Sequence, residues 1–240
     1  MLCYSHIIPE LCYLDTYDSK HRTTKIQVAP AAKKPIQKGF REYLLCKDCE
    51  GKLNKWETHF KKFWYNTPAL PQVVSDRYVV VSGIDYKLVK LFHLSIFWRA
   101  SVATIPEFDT VSLGSEEEAI RRMLESEDPG PEDRYPITGR ILTGDQREVV
   151  YGLVGKPQRA EYEGIDVYYA PYAGAEWTLF VGDGTSPGVQ SILDFALKAS
   201  GEMYLAAVPV MQSNCAQVFA EQQRNETNDH GPNPASGGKV

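Results

Sequence analysis

Apolar residues recur at helical spacing in residues 50–64, where Leu53, Trp56, Phe60, Phe63 and Trp64 fall on one stripe. Lys52, Lys55, Glu57 and Lys62 occupy the other faces, and Thr67-Pro68 ends the helix because the residue before a proline resists the α region. Upstream, 40–45 reads as a strand. The polar stretch 14–40 reads as a long loop, with one strand around Lys25–Val28. Downstream, Tyr78-Val79-Val80-Val81 reads as a strand. From Tyr86 to Val102 the chain is apolar on nearly every side, the pattern of a buried core helix, with Asp85 as its N-cap. His93 and Arg99 lie inside it and need partners if enclosed.

The second half predicts shorter elements. Ser115-Glu116-Glu117-Glu118 reads as a capping box ahead of a helix that ends near Glu125. Asp128-Pro129-Gly130-Pro131 breaks the chain. Short strands at Ile137–Leu142, Glu148–Val154, Ile165–Tyr169 and Trp177–Val181 suggest a small antiparallel meander. Ser186-Pro187 opens a helix carrying Val189, Ile192, Leu193, Ala196 and Leu197, with Gly201 as its stop. Tyr204–Met211 reads as a last strand. The pattern thus predicts an α+β fold with a unit over 1–66, a mixed helix/antiparallel-sheet body over 70–220, and a Gln/Asn/Gly/Pro/Ser tail over 221–240 read as disordered.

Composition adds limits. Hydrophobic residues are 43% and charged residues 24% of 240, ordinary globular usage that argues against a disordered or fibrous chain. No apolar run reaches the ~18 residues of a membrane span. His6, Pro9, Glu10 and Asp15 interrupt any secretory leader pattern, so the expectation is a cytoplasmic protein without membrane contact. The net charge of -5 hides an asymmetry: residues 1–65 hold 12 Lys+Arg against 7 Asp+Glu, and the remainder 14 against 24. A basic segment on an acidic body suits a local nucleic-acid contact, or else a solvated lysine face.

Four of the five cysteines, Cys3, Cys12, Cys46 and Cys49, lie in the first fifty residues, which favours a metal role over a disulfide framework. His6 within Ser5-His6-Ile7-Ile8-Pro9, followed by Leu44-Leu45-Cys46-Lys47-Asp48-Cys49-Glu50, resembles the HNH endonuclease superfamily in its treble-clef form. The resemblance covers residues 1 to about 65. Beyond it, the chain looks like a group of uncharacterised bacterial proteins with an HNH-like finger ahead of an α+β body.

The resemblance implies a phosphodiester-cleaving site with His6 as general base. Cys46 and Cys49 would be one of the two pairs that hold structural zinc, and Glu50 would stand where a histidine usually holds catalytic magnesium or manganese. Ser5 replaces the usual acidic ligand, and Arg41 falls near the usual asparagine. The first cysteine pair is missing from the chain. It would be encoded upstream, or Cys3 and Cys12 would stand in, or the fold would persist without zinc, or the match is coincidence. Zinc use of His6 would remove it as a base. Lys47, Lys52 and Lys55 are the expected phosphate contacts on DNA or RNA.

The competing expectation is a non-catalytic module whose acidic body binds a protein partner. Glu57 reads either as a further oxygen ligand with Asn54 or as a solvated residue beside Lys61. Gly182-Asp183-Gly184-Thr185-Ser186 reads as a phosphate cradle or a plain turn. Tyr168, Tyr169, Tyr172 and Trp177 read as a base-stacking surface or as sheet packing.

Overall fold

The computed structural model describes residues 1–27, 32–65, 70, 74, 76–217 and 220. Strand β1 (Leu2–His6) leads into a 3-10 turn (Glu10–Thr16), then a hairpin of β2 (Arg22–Gln27) and β3 (Ala32–Gln37). Strand β4 (Arg41–Cys46) returns to pair antiparallel with β1, and helix α1 (Lys47–Tyr65) follows without a break. A β-strand pair with a helix leaving its second strand is therefore present. The span 14–40, expected as loop with one strand, folds as an antiparallel hairpin whose second strand carries Pro35; Val28 lies outside the described residues.

The body contributes β5 (Tyr78–Ser82), α2 (Tyr86–Val102), α3 (Glu116–Ser126), β6 (Ile137–Thr143), β7 (Gln158–Tyr162), β8 (Ile165–Tyr172) and β9 (Ala175–Val181). The short α4 (Pro187–Gln190) and β10 (Glu202–Pro209) complete it. Its sheet is six-stranded, ordered β5-β10-β6-β9-β8-β7. The fold is α+β as expected, but the sheet is mixed rather than a small antiparallel meander: β10 runs parallel to β6 and antiparallel to β5.

Three further expectations are corrected. Glu148–Val154 forms only a single bridge, Val149 to Thr143, and the strand lies later, at β7. The helix after Ser186 stops at Gln190, and Leu193–Phe195 is a 3-10 turn. Ser115 makes no side-chain cap, because its backbone is already helical, with φ -63° and ψ -21°, and its hydroxyl donates to Glu116 Oε1 at 3.3 Å; Glu118, the reciprocal partner of a capping box, is held by Arg121 and Arg122. The tail 221–240 lies outside the described residues.

One core joins the N-terminal unit to the body. Trp56, Phe60 and Trp64 of α1 are buried together with Phe92, Tyr172 and Trp177. Phe60 stacks on Phe92 with centroids 4.0 Å apart, and Trp64 Nε1 donates to Ala173 O at 2.7 Å. Asp85 caps α2 by accepting from the Leu88 N–H at 3.0 Å. Gly201 is required where it stands: its φ is +82°, and a Cβ there would meet Ile84 O at 2.5 Å.

Most polar groups enclosed by α2 find partners, although His93 Nε2 and Trp98 Nε1 are buried without one among the described residues. His93 Nδ1 lies 2.7 Å from the Tyr172 hydroxyl. Lys90 donates to Pro131 O at 2.6 Å, Arg134 O at 2.7 Å and the Tyr86 hydroxyl at 2.9 Å. Tyr86 gives its own proton to Gly130 O, so Lys90 supplies all three N–H groups as an ammonium, although burial draws its pKa down to about 7.

Candidate functional site

The register of the β1–β4 pair fixes where the expected site residues lie. Leu2 is opposite Cys46 and His6 is opposite Arg41. A strand rises about 3.3 Å per residue, so the four steps from Leu2 to His6, β4 carrying a bulge opposite them, set His6 and Cys46 roughly 13 Å apart along the hairpin. Helix α1 then runs back at about 1.5 Å per residue and reaches the level of His6 near Glu57. Arg99 marks that level: its Nη1 donates to His6 O at 2.9 Å and to Glu57 Oε1 at 3.0 Å. Glu50 sits in the first turn of α1, beside the thiols. The structure thus brings Glu57 and Arg99 to His6, but neither Glu50 nor the cysteine pair. Sequence reasoning weighed Glu57 and asked for a partner for Arg99 without linking the two. The signal was the distance between Cys46 and Glu57 along α1, about the length by which a helix at 1.5 Å per residue retraces the strand from Leu2 to His6.

His6 is held through Nε2, which lies 2.8 Å from Lys38 O. A carbonyl only accepts, so Nε2 carries the hydrogen and Nδ1 the lone pair. Burial lowers the His6 pKa below its usual 6.5; Arg41 and Arg99 add to this, while the Lys38 carbonyl and Glu10 oppose it. The ring is therefore neutral at pH 7. In β1, side chains alternate, so His6 shares a face with the exposed Leu2 and Tyr4. Ser5 is buried on the other face, with Oγ donating to Cys3 O at 3.2 Å. Burial raises the Glu57 pKa against the pull of Arg99.

Cys46 ends β4 and directly precedes α1. Its Sγ accepts the Cys49 backbone N–H at 3.4 Å and lies 3.3 Å from Cys49 Sγ. The sulfur thus fills an N-cap role, and that N–H lowers the exposed Cys46 thiol pKa, whereas burial raises that of Cys49. Cys3 is opposite Leu45, on the strand face away from Leu2, and Cys12 is buried in the core. Among the described residues, no three His, Cys, Asp or Glu side chains gather to hold a metal. A closed zinc site takes four ligands, and the pair supplies two, so the described residues do not fit structural zinc. They do not fit magnesium or manganese between His6 and Glu50 either, because the two are separated along the hairpin.

Of the expected phosphate contacts, Lys47 is exposed at the start of α1. Lys52 instead donates to Glu125 O at 2.6 Å, and Lys55 pairs with Glu127 at 3.2 Å. Both clamp α1 to the C-terminal end of α3, where cations suit the helix dipole. Tyr168, Tyr169, Tyr172 and Trp177 are buried and pack the sheet, so they offer no stacking surface. The 182–186 segment is a turn in which Asp183 Oδ1 accepts from the Thr185 N–H at 3.0 Å.

An exposed aromatic pair lies elsewhere, on the β1–β4 hairpin. Tyr4 and Tyr43 face each other across the strands with ring centroids 5.1 Å apart, and are 52% and 67% exposed. The Arg41 guanidinium lies over the Tyr4 ring at 4.6 Å. The alternation of Leu2, Tyr4 and His6 was the sequence signal for this face.

No family model matches the chain, no curated protein matches it, and no solved structure matches it.

Proposed function

We propose that the N-terminal unit is an HNH-like nucleic-acid-binding module that takes unpaired bases of DNA or RNA on the outer face of its hairpin. The observation that carries the reading is the exposed Tyr4–Tyr43 pair with Arg41 over one ring. Every base has a π-face, so such a platform tolerates sequence, and a guanidinium beside it serves both stacking and phosphate contact. The positive balance of residues 1–65 and the exposed Lys47 favour a polyanionic partner for the N-terminal unit.

Stacking is worth about 1–3 kcal/mol per base, roughly 5- to 150-fold in affinity. Tyr43→Ala is expected to weaken binding of oligothymidine and oligouridine by that factor in fluorescence anisotropy at low salt. Unchanged affinity in the variant, or no binding by the wild type, removes the platform from the account.

A second reading, phosphodiester hydrolysis with His6 as base, is favoured by the Lys38 contact, which leaves Nδ1 with a lone pair on a neutral ring. In a supercoiled-plasmid nicking assay with magnesium or manganese, His6→Ala is expected to slow cleavage by about 100-fold or more. Equal nicking by both proteins would assign the activity to a contaminant.

A further inference from the structure

Cys46 and Cys49 remain unexplained by the nucleic-acid reading, and the described residues give them no further metal ligands. Their arrangement has its own chemistry. The sulfurs are 3.3 Å apart. Two thiolates on one tetrahedral zinc, each at about 2.3 Å, would stand about 3.8 Å apart. A disulfide needs about 2.05 Å, so closing one asks for a contraction of roughly 1.3 Å between side chains that already touch. The two sulfurs also differ in access. Cys46 is exposed at the joint between β4 and α1, while Cys49 is half-buried behind it in the first helical turn. The Cys49 backbone N–H points at Cys46 Sγ at 3.4 Å, so a negative charge on that sulfur would be received by the helix start.

We propose that Cys46 and Cys49 form a thiol–disulfide exchange site, with Cys46 as the attacking sulfur and Cys49 as the resolving one, acting on small exposed disulfides of the glutathione class. The Cys46 thiolate attacks one sulfur of the disulfide, forming a mixed disulfide and releasing one thiolate, which takes a proton. The Cys49 sulfur, losing its proton to water, then attacks Cys46 Sγ and releases the second thiolate. The two protein thiols give up two electrons and two protons, and the small disulfide is reduced to two thiols. The bond formed spans the joint between β4 and α1. The proposal is independent of the nucleic-acid reading, because it uses no residue of the Tyr4–Tyr43 platform.

The test uses the full chain, reduced and freed of thiol reagent, with its zinc content measured first. Incubation with oxidised glutathione, followed by alkylation and peptide mass mapping, is expected to give one internal disulfide between positions 46 and 49, reversed by dithiothreitol. In the reduced protein, Cys46 is expected to alkylate about tenfold or more faster than the buried Cys12. Cys49→Ser is expected to trap one glutathione on Cys46, whereas Cys46→Ser is expected to leave Cys49 largely unmodified. Both thiols staying reduced in oxidised glutathione overturns the proposal. So does about one zinc per chain that shields both from alkylation, or glutathione accumulating on Cys49 rather than Cys46.

Discussion

Arg99→Leu is expected to lower the unfolding free energy by about 2–3 kcal/mol, somewhat below the cost of breaking a fully buried ion pair because the Glu57 side chain keeps 23% of its surface exposed. Arg99 is 2% exposed. It donates to Ser95 O and Ser95 Oγ on its own helix, and to His6 O and Glu57 Oε1 on the N-terminal unit. Leucine leaves the Glu57 carboxylate without its cation in a place where burial already resists charge, and leaves a strand carbonyl unpaired. Glu57→Leu in the same background is expected to recover part of the loss, because the stranded charge is then gone. Urea denaturation of the two single variants and the double variant measures this. A loss below about 1 kcal/mol for Arg99→Leu would mean that the joint is held by apolar packing alone.

The second large effect depends on pH. His93 is fully enclosed between Trp177, Phe92 and Tyr172, and burial drives its pKa from 6.5 to about 3. Between those values the unfolded chain binds a proton that the folded protein refuses. The contribution is therefore complete above pH 6.5 and shrinks as pH falls toward 3. Each pH unit below 6.5 removes on the order of 1 kcal/mol, so a loss of roughly 2–3 kcal/mol is expected by pH 4.5. His93→Leu is expected to be less stable at pH 7, because it leaves Tyr172 without its partner, yet to lose less stability between pH 6.5 and 4.5. Unfolding curves at stepped pH for both proteins isolate the difference. Parallel pH dependences would show that His93 takes up its proton in the folded state.

Elements with a strong local pattern were legible in the sequence: α1 from its aromatic stripe, α2 from its all-round apolar run and Asp85 cap, and β6, β8 and β9 from their apolar stretches. Where local pattern and tertiary context diverged, reading failed. Gln158–Tyr162 is an edge strand with polar, exposed positions, so nothing apolar marked it, whereas Glu148–Val154 had strand composition but touches β6 only at its end, through the Thr143–Val149 bridge and the Val150 N–H to Leu142 O bond. The helix predicted past Gln190 was apolar at helical spacing, yet Leu197 instead donates its N–H to Ile137 O beside the sheet. The parallel β10–β6 pairing joins residues 66 apart, such as Arg140 and Ala206, and has no local signature.

The same holds for the site. His6, Cys46 and Cys49 were conspicuous as residue types. Which of them could meet depended on the β1–β4 register, a non-local pairing with the β2–β3 hairpin between its two strands in the sequence. The separation of His6 from the thiols, and the approach of Glu57 and Arg99, follow from strand and helix rise once the register is known.

The place of β10 in the sheet bears on how the protein is made. Strand β10, the last among the described residues, sits between β5 and β6, so β5 has no sheet neighbour until residues 202–209 arrive. During synthesis, β6, β9, β8 and β7 can pair as they leave the ribosome, but β6 keeps a bare hydrogen-bonding edge throughout. A nascent chain stalled before residue 202 would therefore offer that edge, and the half-made core behind it, to other chains, which makes the interval between the synthesis of β9 and that of β10 one of aggregation hazard.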